Sequence, residues 1–311
     1  MIEKRSAWVW LFLFMIIPLV LSSGYHVQLA TQLLIFVILF VGVDIAVGHA
    51  GLVSVAHGAL FGIGAYVAAI LTVDYAWPFF ATLPLAAIVA SLFGLIIGIL
   101  TLKLAGHYFV IATMAFALLI AVGAKNMSIT HGELGIANIP KPQIASMLGI
   151  DESLAFYYLT LAVAAVVVVV YLLLMDSAFG RRLRAIRDNS LLADALGVDV
   201  SRAKLLAFVL SAAIAAIGGA FHASFLTFIN PHVVGYEIGF TALMALIIGG
   251  RTTVGGAILG AAIFTILPEV LREVDEYRLI ILGALLIIIV QRAPGGLYGK
   301  FVELAQVFRG R

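Results

Sequence analysis

The ionisable residues that could do chemistry are few, and they lie among apolar neighbours. Asp44 is the clearest acid inside an apolar run, and it shares the segment from Gly42 to Gly64 with His49 and His57. A carboxylate at membrane depth needs a partner or water to stabilise it. Two interpretations stay open: a substrate or cation contact, or a structural anchor near a helix end that accepts backbone N–H groups. The small number of acids at depth favours the anchor.

The histidines do not have the spacing of a metal site. His49, His57, His107 and His222 are scattered over different apolar runs, and none forms an HExxH-type pair. The absence of Cys excludes disulfides and thiol-ligated metals. We therefore expect no metal site, and we expect each histidine to have a packing or interfacial role.

The sequence also has no catalytic motif. Its nearest approach to a phosphate-binding loop is GGLYGKF, from Gly295 to Phe301, in which the spacing fails and Phe301 replaces the Ser or Thr that would hold magnesium. The GxSxG motif is missing as well. We predict that the protein is not an enzyme and carries no cofactor. If ATP drives its work, ATP and magnesium bind to another chain.

Composition places these residues in a membrane protein. Hydrophobic residues make up 64% of the chain and charged residues 11%, and the mean hydropathy is +1.18. Soluble proteins have about a quarter charged residues, so a water-soluble fold could not cover this much apolar side chain. The fold class predicted is an all-α, polytopic integral membrane protein whose partner is the lipid bilayer. A net charge of +2 gives no reason to expect a nucleic-acid partner.

About ten apolar runs could cross the bilayer, each near the length of roughly 20 residues that a span needs. They cover residues 8–21, 28–47, 52–73, 78–102, 107–124, 154–175, 204–228, 238–250, 254–271 and 278–291. The first run also resembles the apolar part of a signal peptide; we expect it to be a first membrane helix. We predict a single transmembrane domain over residues 1–311.

Basic residues predict the orientation, because cytoplasmic loops of membrane proteins carry an excess of Lys and Arg. With a cytoplasmic N-terminus and ten spans, the C-terminus is cytoplasmic too. The outer side then receives only four of the 18 basic residues, namely Lys125, Lys141, Arg272 and Arg278. Residues 125–153 become the longest extracytoplasmic loop, which is either a docking cap for an external protein or a solvated connector. Residues 176–204 become a cytoplasmic loop.

The loop 176–204 has more structure than a charged anchor needs. Apolar residues recur among its arginines, Asn189 lies in a break with N-cap chemistry, and Gly197 offers a C-cap after the run LLADAL. This pattern predicts two short helices with a bend. A simple positively charged membrane anchor remains the alternative interpretation.

Six segments resemble one family of permeases. They are Phe179 to Phe221, Gly48 to Leu71, Leu104 to Ala117, Ala245 to Ala261, Leu267 to Ile289, and the ending Ala293 to Gly299. Taken in their order along the chain, they are similar to the LivM-type permeases of branched-chain amino acid ABC transporters. One stretch departs from the family pattern: the run from Gly249 to Ala257 lacks the usual proline and contains Arg251.

The resemblance implies a multi-pass subunit in a bacterial inner membrane and a set of partners. These are a LivH-type permease, two cytoplasmic ATPase subunits of the LivG/LivF type, and an extracytoplasmic substrate-binding protein. The loop 176–204 would be the coupling segment that transmits ATPase closure as rigid-body motion, giving alternating access. The coupling residues expected are Arg181, Arg182, Arg184, Ile186, Arg187, Asn189, Leu192, Ala193, Ala195, Leu196 and Gly197.

By the same resemblance, the substrate is a branched-chain amino acid or a related small polar or carboxylate solute. The glycine-rich segment from Gly42 to Gly64 is a candidate lining of the path, because irregular backbone at membrane depth must face protein or a water-filled cavity. The path residues predicted are Asp44, Gly48, His49, His57, Gly58, His107, Tyr108 and Thr113. An ion-coupled secondary transporter of a small solute, acting through Asp44, is the second hypothesis.

Overall fold

The apolar runs of the sequence become helices. A computed structural model describes residues 10, 13–18, 24–104, 106–142, 145, 149–271, 278–293 and 295–309. Nine of the predicted runs coincide with helices in these residues, whereas half of the first run lies outside them. The ends agree to within about five residues, as in the predicted run 52–73, whose helix begins at His57.

The described α-helices follow one another along the chain, and the longest connection, between α4 and α5, covers residues 127–151. They are α1 Gly24–Asp44, continued by a π-helical turn Ile45–His49, then α2 His57–Val73, α3 Phe79–Thr101, α4 His107–Asn126, α5 Glu152–Asp176, α6 Ala178–Asp188, α7 Ser190–Ala195, α8 Val200–Leu226, α9 Tyr236–Gly249, α10 Val254–Val270, α11 Arg278–Arg292 and α12 Gly296–Arg309.

Five of the described helices are long and apolar enough to cross a membrane. They are α1 with its π-helical turn, α3, α4, α5 and α8. Helices α2, α9 and α10 are apolar but shorter, at 14 to 17 residues. A helix rises about 1.5 Å per residue, so these three span roughly 21–26 Å.

Helix α1 lies at the centre of the bundle. It packs against α5, α8 and α10, and 89% of its apolar window is buried, compared with 22% for α4. Small residues allow a close helix approach between α2 and α8. There Gly64 faces the backbone of Ala216, and Gly219 faces the carbonyl of Phe61. A side chain at either glycine would overlap backbone atoms, so this helix pair depends on glycine.

The loop 125–153 is tied to the connection between α8 and α9. Strand β1, Ile136–Ala137, pairs antiparallel with β2, Phe228–Ile229, and this small ribbon is a departure from the all-α prediction. The Nζ atom of Lys125 lies 2.8 Å from Oε1 of Glu133. The hydrogen bond and the positive charge of Lys125 lower the pKa of that carboxyl below its ordinary value. Residues 133–137 of the loop are therefore held to the bundle by the contact with Lys125 and by the pairing of β1 with β2.

The loop 176–204 forms two short helices, as its pattern predicts. Helix α6 ends at Asp188, and the Asn189 side chain accepts a hydrogen bond from the backbone N–H of Leu192 at 3.0 Å, which caps α7. Gly197 has φ of +83°, the left-handed conformation that ends helices and favours glycine. The Asn189 cap thus forms the bend between α6 and α7, and Gly197 follows the end of α7.

Candidate functional site

Asp44 joins three separate parts of the chain. The residue ends α1 and is buried, with 1% of its surface exposed. Its Oδ2 accepts a hydrogen bond from the Tyr171 hydroxyl of α5 at 2.6 Å, and its Oδ1 accepts the backbone N–H of Thr252 at 2.8 Å. Thr252 lies in the turn between α9 and α10. The carboxylate therefore ties α1, α5 and this turn together at one point.

The π-helical turn after Asp44 adds His49 to this junction. The Nε2 atom of His49 lies 2.8 Å from the Tyr171 hydroxyl oxygen and 3.7 Å from Asp44 Oδ2. Gly48 passes so close to Asp44 that a Cβ at this position would overlap the carboxylate. Asp44, His49, Tyr171 and Thr252 are hereafter called the Asp44 junction.

Arg187 connects helix α6 to the Asp44 junction. Its Nη1 donates to the carbonyl oxygen of Gly48 at 3.1 Å, while its Nη2 pairs with Asp188 at 3.2 Å. Because Gly48 lies in the π-helical turn itself, a displacement of α6 acts directly on the backbone next to Asp44. This contact gives the predicted coupling segment a physical route into the bundle.

Two other arginines of α6 hold it to the end of α5. Arg181 donates to the carbonyl of Asp176 at 3.0 Å, and Arg184 donates to the carbonyl of Met175 at 2.9 Å. These are free carbonyls at a helix C-terminus, where positive charge is favourable. Gly180 approaches the Met175 backbone too closely for any Cβ. These contacts fasten α6 to the end of α5.

Helix α7 exposes apolar side chains next to these arginines. Leu183 and Ile186 of α6 and Ala193 of α7 are buried, whereas Leu191, Leu192 and Leu196 are 83%, 58% and 76% exposed. Arg182, Ala195 and Gly197 are also exposed. These three leucines are hereafter called the α7 leucine patch. The leucines thus form an exposed apolar patch within a charged loop.

The other predicted path residues do not reach the Asp44 junction. His57 Nε2 lies 2.8 Å from the Ser211 hydroxyl oxygen, and Thr113 accepts the backbone N–H of Val55 at 3.3 Å. Gly58 faces the backbone of α9 at Gly235 and Gly239. These contacts position the start of α2. His107 and Tyr108 are exposed at the start of α4, with Tyr108 73% exposed.

Comparison with known proteins identifies the family. Residues 25–290 match the family model described as the branched-chain amino acid transport system / permease component. The chain belongs to this permease family. The resemblance seen in its sequence motifs is therefore confirmed. No solved structure matches the chain.

Several curated relatives are similar to this permease over most of its length. The LivM permease proteins of the high-affinity branched-chain amino acid transport systems of Salmonella typhimurium and Escherichia coli are each 29% identical, over 90% of this chain and 71% of theirs. The LivH permease protein of Salmonella typhimurium is 26% identical over 85% of this chain and 91% of its own. The ribose import permease protein RbsC of Haemophilus influenzae is 26% identical, over 82% and 77%.

The sequence patterns did not indicate several residues that the structure places at these sites. Tyr171 and Thr252, both bonded to Asp44, were not singled out, and neither was Ser211 beside His57. Leu191, the most exposed of the α7 leucine patch, was omitted from the coupling residues. A tyrosine inside a run of Val and Leu was the available signal for Tyr171, since its hydroxyl needs a partner when buried.

The described residues contain no group of three or more His, Cys, Asp or Glu side chains placed to hold a metal ion. The site combines a buried carboxylate with two hydrogen-bond donors, a hydrogen-bonded corner between α5 and α6, and an exposed apolar patch beyond that corner.

Proposed function

We propose that the protein is a transmembrane subunit of an ATP-binding cassette importer for branched-chain amino acids or a related small polar or carboxylate solute. It moves its substrate by alternating access, coupled to ATP hydrolysis on partner subunits. The observation that carries the proposal is the continuity from the α7 leucine patch through Arg187 to the Gly48 carbonyl. A partner pressing on the patch displaces α6 and, with it, the Asp44 junction.

The partners proposed follow from the family. LivM and LivH relatives both match this chain, which supports pairing with a LivH-type permease in a heterodimer. Two LivG/LivF-type ATPase subunits bind ATP and magnesium, and an extracytoplasmic binding protein delivers the substrate. The similarity to a ribose permease supports including other small polar solutes among the proposed substrates.

The orientation proposed places residues 176–204 in the cytoplasm and residues 125–153 outside, in an inner membrane crossed about ten times with both termini inside. Helices α5 and α8 support this arrangement, since both are long enough to span and they flank the loop 176–204. The Asp44 junction and the β1–β2 ribbon then lie toward opposite faces of the membrane.

The contacts of Asp44 favour an anchor over an ion carrier. Each carboxylate oxygen already accepts a hydrogen bond from the protein, at 2.6 and 2.8 Å. A carrier carboxylate must exchange its partners for a cation and for water during each cycle. An ion-coupled mechanism through Asp44 is therefore the weaker of the two candidate functions.

Retention of the ATPase subunits tests the proposal. The complex is purified from membranes through a tag on this chain, and its ATPase subunits are quantified. Replacing Leu191 and Leu196 together by Asp places two charges on the docking surface, and we expect most of the ATPase to be lost while membrane insertion is kept. Leu134→Asp is the matched control, since Leu134 is 86% exposed in the loop 125–153. Full ATPase retention by the double variant contradicts the proposal.

A further inference from the structure

A cavity of about 330 Å³ lies at the end of the bundle remote from the Asp44 junction. It is formed by the first turns of α1 and α5 and the last turns of α8 and α10, together with the loop before α5. Its volume is at the lower end of the range of about 300–1,000 Å³ that is typical of small-molecule pockets. None of its lining residues belongs to the coupling or path residues discussed above.

Two glutamines of α1 line the cavity. Gln28 and Gln32 are four residues apart and so share one face of the helix. Within the part of the chain that the structure describes, no hydrogen bond holds either side-chain amide. Gln32 is only half-buried, about 12 Å into the helix by its rise per residue. Gln28 is exposed, so its amide is accessible to a ligand, whereas the amide of Gln32 is partly withdrawn from water and gains more from a polar partner.

Opposite charges also line the cavity. Lys141 contributes an ammonium group and Glu269 a carboxylate. Lys141 has Glu152 as a neighbour, at 3.6 Å, which is longer than a hydrogen bond and leaves its N–H donors available. A carboxylate accepts at about four lone-pair positions, so Glu269 can accept further donors whatever else it contacts. The cavity can thus satisfy one anionic and one cationic group.

Apolar side chains form part of the remaining walls, beside the hydroxyl groups of Tyr25, Thr31 and Ser153. Leu29, Phe156 and Phe225 lie among the polar groups. We propose that this cavity binds a small zwitterion that carries an apolar group, with its anionic end at Lys141, its ammonium at Glu269 and its polar atoms bonded by Gln28 and Gln32. An amino acid with an aliphatic side chain has this chemistry.

Two sources could supply such a zwitterion: a free amino acid, or the headgroup of phosphatidylethanolamine, whose phosphate and ammonium have the same charges. The amino-acid source rests on the proposed function, because under that proposal the cavity faces the side from which the binding protein delivers substrate.

The test uses the complete complex of this chain with its permease and ATPase partners in lipid nanodiscs, without binding protein or ATP. Equilibrium binding of radiolabelled L-leucine is measured for the wild type, Lys141→Gln and Gln32→Leu. Each substitution removes hydrogen bonds to a charged group of the ligand, so we expect affinity to fall at least about tenfold. Lys103→Gln is the matched control, since Lys103 is exposed in the turn after α3 and does not line the cavity.

A second arm distinguishes the two sources. Nanodiscs are prepared with phosphatidylethanolamine or phosphatidylglycerol, and the lipid that stays bound is identified by native mass spectrometry. Leucine binding that both cavity variants weaken identifies the free amino acid. Retention of phosphatidylethanolamine that both variants abolish identifies the headgroup.

If neither variant changes the binding of leucine or of the lipid, the cavity proposal is wrong. ATP-driven leucine uptake by the same wild-type complex, with binding protein added, separates this result from the proposed function. Uptake together with unchanged binding overturns only the cavity proposal. Zwitterion binding by a complex that shows no uptake of any small solute contradicts only the proposed function.

Discussion

Replacing Tyr171 by Phe removes one hydroxyl from the centre of the Asp44 junction and leaves the ring in place. That hydroxyl donates to Asp44 Oδ2 at 2.6 Å and lies 2.8 Å from His49 Nε2. A hydrogen bond to a charged group contributes about 1.5–3 kcal/mol, whereas one between neutral groups contributes about 0.5–1.5 kcal/mol. We expect Tyr171→Phe to lower the free energy of unfolding by about 2–3 kcal/mol.

The same helix offers a matched control. Tyr157 is also fully buried in α5, and its hydroxyl donates to the backbone carbonyl of Phe14 at 2.5 Å. Tyr157→Phe removes the same atoms from a neutral partner, so we expect a loss of about 1 kcal/mol. Both variants are unfolded reversibly in mixed micelles, and their free energies of unfolding are compared with that of the wild type.

The test compares the loss in free energy of unfolding caused by Tyr171→Phe with the loss caused by Tyr157→Phe. Equal losses for both, or a smaller loss for Tyr171→Phe, would refute the inference that Asp44 is an anchor whose bond to Tyr171 holds α1 against α5.

Two further predictions concern the glycine at the junction and the charge pair outside it. Gly48→Ala places a Cβ on the Asp44 carboxylate, so we expect a loss of about 1–3 kcal/mol in the free energy of unfolding; Gly123→Ala, which meets no atom within 4 Å, should be neutral or stabilising by up to about 1 kcal/mol. A destabilised Gly123→Ala beside an unchanged Gly48→Ala would contradict the packing described. Lys125→Gln should raise the pKa of Glu133 toward its ordinary value of 4.5, as measured by NMR of labelled glutamate. The lowered pKa stabilises the fold above pH 4.5 and loses this effect as pH falls, so the wild type should lose more stability on acidification than Lys125→Gln.

Much of the fold could be predicted from the sequence, because membrane helices reveal themselves through composition. The nine apolar runs within the described residues all correspond to helices. The bend between α6 and α7 was visible in Asn189, and the end of α7 was visible in Gly197. These features depend on neighbouring residues only, which is why a local pattern was enough.

The candidate site was less predictable, because its partners lie far apart in the chain. Tyr171 is 127 residues from Asp44, and Thr252 is 208 residues from it. No spacing rule connects such positions. The π-helical turn was hidden for a similar reason, since it places Gly48 against Asp44 and against the backbone of the distant Thr252. His107 and Tyr108 share the polarity of path residues but lie exposed and separate from the junction.

The central claim is that Arg187 carries motion from the ATPase partners to the Asp44 junction. The most direct measurement is the number of leucine molecules imported per ATP hydrolysed by the complete complex in proteoliposomes. Arg187→Gln removes the bond to the Gly48 carbonyl, whereas Arg202→Gln alters an exposed arginine that pairs only with Asp199 among the described residues. We predict that the Arg187→Gln complex assembles and hydrolyses ATP but imports several-fold less leucine per ATP, while Arg202→Gln behaves as the wild type. An unchanged ratio for Arg187→Gln would contradict this account.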